Sequence, residues 1–521
     1  MRKILQVSLL LFSVVLTSWA TDTIHLRGCR VGKPNPNTIR HRAPLLANGE
    51  NPYIGNRHQL VVLASFQDQD FAEDRETTLR TWDMIFNAEN YNEDSFVGSV
   101  HDFFLTQSYG MFNLTFDPVF VELPDNRHKY RSTATHDEYS QYMVDDIVDA
   151  LQTLDIDWEQ YDWDGDSYID QLMIIYAGMG MNAGGGSESI WPHQWWLSQH
   201  LNIDTDDPDD YRDYRTVTAG GKEYYIDSYC CVQEFVNSKK VKSSFGTICH
   251  EYSHCLGLPD FYFASTSILG DWDLMDNGSY NGLGFRPCNY SAQERMLMGW
   301  LTPIELSTPT SIAQMAALSD EPAAYIVRND AAEGEYYIIE NRQQKGWDEN
   351  LPGSGILVFH IDYDEDVWKG STEYVNTSTR KRYSIFPANN KTSISSSSGW
   401  AYPYIVADSH GNDSVANNQL TDTSKPAAKL NQANTKGEMV MSKPITQMSI
   451  DDNGLASFLF MNGDASGVGL TPWTEPSTGR TASSALGNSH TPAYRLDGTP
   501  ATPRSRGIII VGGKKQLINE K

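Results

Sequence analysis

The stretch CHEYSHCLGLPD at 249–260 carries the pattern H-E-x-x-H-x-x-G-x-x-D. On an α-helix, residues four apart lie one turn apart on the same face, so His250 and His254 can bind one metal ion. Glu251 then lies beside the ion and can take a proton from a water bound there. The first half of the pattern therefore predicts a helix that carries a hydrolytic zinc site.

The second half of the pattern supplies a third candidate ligand. Gly257 permits the sharp turn that ends the helix, and Asp260 can return a carboxylate oxygen to the ion, which leaves the fourth position open for water. Met275 follows Asp260 by fifteen residues, in DWDLMD. We expect it in a turn beneath the metal, the alternative being an ordinary core methionine. For the histidines, the alternative is a helix with two hydrogen-bonded surface imidazoles.

Composition restricts the classes of partner. The chain has 521 residues, of which 67 are acidic and 40 basic, for a formal net charge of -27. A phosphate backbone requires a basic footprint, so this balance disfavours nucleic acid and anionic membrane and favours cation binding. Aromatic residues make up 11% of the chain, which is typical of globular proteins and not of disordered ones.

The amino terminus has the pattern of an exported precursor. Two basic residues precede an apolar run that ends before Ser18-Trp19-Ala20, so we predict a signal peptide at 1–20. A membrane anchor is the alternative, but the run is far shorter than the roughly 20 residues that span a bilayer. The following segment, 21–55, has no sustained period and is predicted to be a pro-segment.

Hydrophobic patterns divide the remainder of the chain. Apolar runs predict buried strands at 59–66 and 171–177, and a helix is predicted at 100–107, so 56–305 is assigned to an α/β catalytic domain. Strand patterns with little helical period follow, and 306–463 is predicted to be a β-rich, sandwich-like domain.

The carboxyl-terminal residues fall into two segments. The stretch 464–490 has the Gly, Ser, Thr and Pro content of a linker. The tail at 491–521 returns to a β pattern, with the sequence GIIIVGGKK at 507–515. Its glycine, apolar run and paired lysines resemble a type IX secretion sorting signal, which would place the mature protein outside the cell. An edge hairpin of the β-rich domain is the alternative.

Several motifs together resemble the immune inhibitor A family of secreted zinc metallopeptidases. They are the pattern at 249–260 with its WDLM turn, Ser108-Tyr109-Gly110, IWPH at 190–193, SAQE at 291–294 and IENR at 339–342. The resemblance covers about residues 58–462 and implies a zincin-like, metzincin-like fold that hydrolyses peptide bonds. It also implies roles for single residues: zinc ligands His250, His254 and Asp260, general base Glu251, and Met-turn residue Met275.

A second cation site is predicted in the acidic stretch DWDGDSYID at 162–170. Calcium prefers clusters of oxygen ligands, and the resembling family carries a similar stretch. The candidate ligands are Asp162, Asp164, Asp166 and Asp170. The alternative is a solvated acidic turn, because the closing glutamate of an EF-hand is absent from this stretch.

Six cysteines leave fifteen possible complete pairings. Cys29 lies in LRGCRVG within the predicted pro-segment, where its thiolate could occupy the open zinc position as a latency switch. A free or disulfide-bonded cysteine is the alternative. His193 is expected to make a polar contact in the core, the alternative being that it reaches the cleft. Tyr280 is expected to pack at the surface, the alternative being that its hydroxyl reaches the cleft and stabilises the oxyanion.

The predicted function is a secreted zinc endopeptidase that cleaves peptide bonds with a zinc-bound water activated by Glu251. Its partners are protein or peptide substrates, its cofactors Zn²⁺ and Ca²⁺, and its oligomeric state is open. Two alternatives remain: a zinc-dependent amide hydrolase acting outside proteins, and an adhesion protein with a vestigial zinc site.

Overall fold

Residues 59–65 of the apolar segment lie in a central five-stranded sheet in the computed structural model of the chain. The structure describes residues 51–133, 137, 139–202, 210–236, 242, 245–263, 266–368, 374–407, 410 and 413–462, and the backbone of 493–495, 507–511 and 514–518. The signal peptide at 1–20, Cys29 and the linker at 464–490 lie outside these residues. Residues 51–462 belong to one compact unit, and the three last segments belong to a second.

In the described residues before 303, the strands are β1 Gly55–Ser65, β2 Phe112–Glu122, β3 Tyr168–Ile169, β4 Leu172–Met179, β5 His193–Trp196, β6 Arg215–Ala219, β7 Lys222–Ile226 and β8 Ser228–Phe235. The α-helices are α1 Arg75–Asn87, α2 Val100–Gln107, α3 Ser140–Leu151, α4 Phe245–Cys255 and α5 Ala292–Leu297. This part therefore has the mixed α/β content that the sequence predicts.

The central sheet has the strand order β2-β1-β4-β8-β5. Its first four strands are parallel, and β5 pairs antiparallel with β8 at the edge. The zinc-motif helix, α4, packs against β8 and β5. Apolar side chains of β1, β4 and β8 are buried, which fits parallel strands covered on both faces.

Three sequence predictions can be compared with these elements. The helix predicted at 100–107 is confirmed, and a capping box between Ser99 and Asp102 begins it. Strand β1 begins at Gly55, four residues before the predicted start, because its exposed first residues pair with β2. The second strand was predicted to end at residue 177, but β4 continues through Gly178 to Met179, and the Gly178 N–H donates to Glu234 at 3.0 Å.

The described residues from 303 to 462 contain ten strands: β9 Ile304–Glu305, β10 Thr310–Met315, β11 Ala324–Asn329, β12 Ala332–Arg342, β13 Gly355–Asp362, β14 Tyr383–Ile385, β15 Tyr404–Ala407, β16 Asp413–Asn417, β17 Ile445–Ile450 and β18 Ala456–Phe460. One short α-helix, α6 Glu365–Trp368, accompanies them. They form sheets with the orders β14-β13-β12-β11-β9, β10-β18-β17 and β15-β16.

The sheet built on β12 and β13 is buried on both faces. Ile338 and Phe359 point into the large core that also contains the central sheet. Their neighbours Ile339 and Val358 point into a second core shared with β17 and β18. Side chains alternate between the two faces of a strand, so one sheet joins both cores. The domain limits at 305 and 463 and the sandwich-like architecture stay predictions.

A buried ion cluster ties this sheet to the segment before α5. The Arg342 guanidinium donates two hydrogen bonds to Asp348, at 2.6 and 2.7 Å, and one to Glu340 at 3.2 Å. It also donates to the backbone carbonyl of Asn289 at 3.1 Å. All three charged side chains have zero exposure.

Replacing Arg342 by methionine is expected to destabilise the protein by about 3–5 kcal/mol, because two buried carboxylates lose their counter-charge. Chemical denaturation of the purified chain measures the loss. Arg328→Met is the matched control, since its ion pair with Glu305 is partly exposed and is expected to contribute less than about 1 kcal/mol. Equal effects of the two substitutions would contradict the assignment.

The second unit is described by its backbone alone. Strands β19 Ala493–Arg495, β20 Gly507–Val511 and β21 Lys514–Ile518 form an antiparallel sheet in that order. The β pattern predicted in this tail is present, and its role as a sorting signal stays a prediction. Within the described part of the chain, no helix has the length and hydropathy needed to cross a bilayer.

Candidate metal centre

Helix α4 brings the two motif histidines to one buried point. It spans Phe245–Cys255, and all of its side chains are buried. The His250 and His254 rings lie 4.8 Å apart between centroids, one turn apart on the helix. Their spacing of four residues therefore produces the convergence that the sequence predicts.

Asp260 joins the two imidazoles from outside the helix. Its Oδ1 atom lies 3.3 Å from His250 Nε2 and 3.2 Å from His254 Nε2. Gly257 has a φ of 100°, a conformation that favours glycine, and it redirects the chain after the helix. The three predicted ligands therefore form a single cluster.

Backbone carbonyls orient both imidazoles. His250 Nδ1 lies 2.9 Å from the Leu274 carbonyl, and His254 Nδ1 lies 2.7 Å from the Leu258 carbonyl. A carbonyl only accepts hydrogen bonds, so each Nδ1 carries a proton and Nε2 is the nitrogen that faces the cluster. A bound metal would therefore take the lone pair of Nε2.

The donor set fits a zinc ion. Ligand atoms about 2.1 Å from a tetrahedral ion lie about 3.4 Å from one another, which matches the separations around Asp260 Oδ1. His254 Nε2 and Asp260 Oδ1 are buried, and no described residue forms a hydrogen bond with either atom. Two imidazoles and a carboxylate are ligands that Zn²⁺ accepts, and a cation would satisfy both atoms.

The field in the cluster favours positive charge. Burial alone would lower the pKa of His250, but Asp260, Glu251 and the Leu274 carbonyl raise it to about 9. Burial alone would raise the pKa of Asp260, but His254 and His250 hold it well below its usual range. The same carboxylates that stabilise an imidazolium would stabilise a metal dication.

Glu251 lies beside the ligands but is not one of them. It is buried, and its Oε2 atom has no hydrogen-bond partner among the described residues. Burial raises the pKa of this carboxyl, while His250 and His254 oppose the shift. A carboxylate with a raised pKa and a free oxygen is suited to accept a proton near neutral pH.

Comparison with known proteins supports a peptidase. Residues 62–299 match the immune inhibitor A peptidase M6 catalytic domain. Immune inhibitor A of Bacillus thuringiensis subsp. alesti is 29% identical over 163 residues, covering 26% of this chain and 20% of that protein. The pre-pro-metalloprotease PrtV of Vibrio cholerae serotype O1 is 26% identical over 156 residues, covering 27% of this chain and 16% of that protein.

The chain thus spans a fifth or less of the length of these curated relatives. The family match and the relatives support a metalloendopeptidase, that is, a hydrolase. The matched residues, 62–299, include all three candidate ligands and Glu251. A metal cofactor is implied by this match, and zinc is the ion that the donor set fits.

The turn around Met275 contacts the cluster through its backbone. The Met275 carbonyl accepts a hydrogen bond from the Phe261 N–H at 3.1 Å, directly after Asp260. The preceding carbonyl, of Leu274, is the one that orients His250. The predicted Met-turn role stays a prediction, and these contacts show how this segment supports the candidate ligands.

A cavity borders the cluster, and some of the residues that line it were not predicted from the sequence. Besides His250 and Glu251, it is lined by Trp191, Thr247, Tyr262, Asp276, Ser279 and Tyr280. Tyr280 is half-buried and lines this cavity together with Glu251, as the alternative for this residue predicted, and burial raises its pKa. The position of Asp276, directly after the predicted Met-turn residue, was the available signal.

His193 makes the core contact that the sequence predicts. Its Nδ1 lies 2.7 Å from the Trp191 carbonyl, and its Nε2 lies 3.0 Å from the Tyr229 hydroxyl. The Cys231 thiol lies 3.4 Å from Nδ1. His193 thus holds the backbone of Trp191, which lines the cavity.

The acidic turn brings together three of its four candidate ligands. One oxygen each from Asp162, Asp164 and Asp166 lies within 4.8 Å of the others. The Asp162 carboxylate already accepts two backbone N–H bonds and lies 3.3 Å from Lys222 Nζ. Asp170 is not in this cluster, and its carboxylate accepts the Trp163 N–H at 2.6 Å.

The described cysteines are free thiols. They are Cys230, Cys231, Cys249, Cys255 and Cys288, and all are buried. Cys249 and Cys255 lie six positions apart on α4, which separates them by about 9 Å along the helix axis. They therefore cannot form a disulfide with each other. Cys29, the predicted latency switch, lies outside the described residues.

Proposed function

We propose that this chain is a secreted zinc-dependent endopeptidase in which His250, His254 and Asp260 bind the metal and Glu251 is the general base. The observation that carries the proposal is the convergence of three buried donor atoms beside a buried carboxylate with a free oxygen. The metzincin-like fold belongs to the same proposal and is supported by the parallel sheet with its antiparallel edge strand.

The metal and the surrounding residues have separate roles in the proposed hydrolysis. When bound, Zn²⁺ supplies Lewis acidity that polarises the scissile carbonyl and acidifies a water. Glu251 accepts the proton of the attacking water and delivers it to the leaving amine. The Leu274 and Leu258 carbonyls hold the two imidazoles in the ligating tautomer. Burial excludes bulk water, which strengthens each electrostatic interaction in the site.

The test is digestion of unfolded proteins by the processed, zinc-loaded chain, with mass spectrometry to identify new peptide termini. New termini that disappear in the Glu251→Gln variant would support the proposal. Zinc-loaded protein that cleaves no unfolded substrate would contradict it and favour an amide hydrolase acting outside proteins, or an adhesion protein.

Export and latency belong to the proposed function as well. The signal peptide at 1–20, the pro-segment at 21–55, the tail at 491–521 and the Cys29 switch are supported by sequence patterns alone. If Cys29 binds the metal in the precursor, Cys29→Ser precursor will hydrolyse peptides without processing. A Cys29→Ser precursor that stays inactive would exclude the switch.

Calcium at the 162–170 turn is supported by the spacing of its aspartates and by the separations of their oxygens. Millimolar Ca²⁺ is expected to raise the melting temperature of the wild type and not of an Asp164→Asn variant, because a ligand that binds only the folded state stabilises it. Equal shifts in both proteins, measured by calorimetry, would favour the solvated acidic turn.

A further inference from the structure

A second, larger cavity lies at the carboxyl end of the central sheet, where Phe235 is the last residue of β8. It has a volume of about 440 Å³, and its apolar lining consists of Phe96, Phe235, Phe285 and Ala72. The three rings are buried, and the Ala72 side chain is exposed. We call it the distal cavity. Its volume is in the range of ligand-binding cavities, roughly 300–1,000 Å³.

The cavity beside Glu251, here the metal-side cavity, is much smaller. Its volume of about 30 Å³ holds about two water molecules, so it does not admit a substrate side chain. A peptide that reacts there has to place its side chains on neighbouring surfaces. The distal cavity is large enough to take one.

Charged residues complete the lining of the distal cavity. They include Glu73, Asp94 and Lys242. Lys242 Nζ donates a hydrogen bond to Glu73 Oε2 at 2.9 Å, so these two charges compensate each other, and Asp94 is exposed to water. The surface that gains most from being covered by a ligand is therefore the apolar part of the lining.

Two segments connect the distal cavity to the metal-side cavity. In the first turn of α4, the Phe245 ring lies 5.9 Å from the Phe96 ring between centroids, and Thr247 lines the metal-side cavity. In the segment 280–285, Tyr280 lines the metal-side cavity and Phe285 lines the distal one. Five residues span at most about 18 Å, which an extended peptide also covers with about five residues.

The segment between the two cavities presents an apolar side chain to solvent. Leu283 is 73% exposed, the largest fraction among the exposed large apolar residues of the described part of the chain. Its φ of 60° is a left-handed conformation, which is unfavourable for leucine. Leu283 lies between Tyr280 and Phe285 in the chain, so a peptide that spans both cavities would cover it.

We propose that the distal cavity is a substrate-binding site for an aromatic or long aliphatic side chain, located within about five residues of the scissile bond. The inference rests on the proposed function, because the bound peptide has to extend from the metal-side cavity. Covering three phenylalanine rings supplies binding free energy away from the reacting bond and positions the peptide for hydrolysis. A polar side chain of similar length would lose hydration there without gaining a hydrogen-bond partner.

The test uses the processed, zinc-loaded chain and a peptide whose scissile bond has been identified in the digestion of unfolded proteins. The residues two to five positions from that bond are set to serine on both sides, and phenylalanine, leucine or glutamine replaces one serine at a time. At one position, phenylalanine or leucine is expected to raise kcat/KM by about tenfold or more, and glutamine is not. The absence of such a position, or an equal gain with glutamine, would overturn the inference.

Ala72→Trp is the main variant, because a large side chain at this exposed position can fill the distal cavity without displacing the core. It is expected to reduce the phenylalanine-to-serine ratio of kcat/KM to about one, while the melting temperature stays close to that of the wild type. Ser95→Trp fills the cavity from a second exposed position and should have the same effect. Ala331→Trp is the matched control: Ala331 is exposed between β11 and β12, is not among the lining residues, and its replacement should leave the ratio unchanged. An unchanged ratio in either folded cavity variant would contradict the assignment.

The outcomes separate the two proposals. If the zinc-loaded chain cleaves none of the peptides, the proposed function fails and the assignment of the distal cavity fails with it. If the peptides are cleaved and the ratio is about one at every position, the endopeptidase assignment stands and only the role of the distal cavity is wrong.

Discussion

Replacing Glu251 by glutamine will lower kcat for peptide hydrolysis by about 10²- to 10⁴-fold while the zinc content of the protein stays unchanged. Glutamine keeps the shape of the side chain but cannot accept a proton from water. Glu251 is buried next to the ligands, and its Oε2 atom has no partner among the described residues, so the substitution removes chemistry and not a structural contact.

Steady-state kinetics on one peptide and elemental analysis of the same sample measure this prediction. Glu234→Gln is a matched control, because Glu234 is also buried but accepts the backbone N–H groups of Ala72 and Gly178 outside the ligand cluster. Full activity in a zinc-loaded Glu251→Gln protein would show that another group is the base. Tyr280, in the same cavity, would then be the next residue to test.

Removing the metal is expected to abolish activity and to lower the melting temperature, and added Zn²⁺ should restore both. The stabilisation follows RT ln(1 + [L]/Kd), so free zinc at a thousand times its Kd contributes about 4 kcal/mol. The structural reason is that His254 Nε2 and Asp260 Oδ1 are buried without hydrogen-bond partners among the described residues. Without an ion, these atoms are desolvated and uncompensated.

Calorimetry with and without a chelator measures the shift, and a His254→Ala variant is the control. This variant should bind zinc weakly, so the chelator should barely change its melting temperature. His200→Ala provides a second comparison, since His200 is a buried histidine that contacts the Tyr229 hydroxyl at 2.9 Å and lies outside the ligand cluster. A chelator effect that persists in His254→Ala would place the stabilising ion elsewhere, for example at the acidic turn.

Much of the candidate site was predictable because its geometry is local. The interval of four residues between His250 and His254 places both rings on one helix face, whatever the rest of the chain does. The helix at 100–107 was predictable for the same reason, since its apolar residues and its cap are close in sequence. Likewise, the apolar runs located the buried parts of β1 and β4.

The predicted strand limits differ from the observed ones where contacts between distant segments determine where a strand begins or ends. Strand β1 begins before the predicted start because Gly55 pairs with Phe112, and the local sequence at 55–58 does not indicate this pairing. Gly178 remains in β4 because Glu234 accepts its N–H, and that glutamate is 56 residues away. The sequence around Tyr280 contains no pattern that distinguishes a cavity-lining residue from a surface residue.

The sequence by itself determined which side chains are candidate ligands, which carboxyl is the candidate base and which helix carries them, because side-chain chemistry and a 3.6-residue period are local properties. Only the tertiary structure decided that Asp260 approaches both imidazoles, that the Leu274 carbonyl selects the tautomer of His250, and that Asp276 lines the cavity. Each of these contacts depends on the path that the chain takes past α4 after Gly257, and the packing of the whole core determines that path.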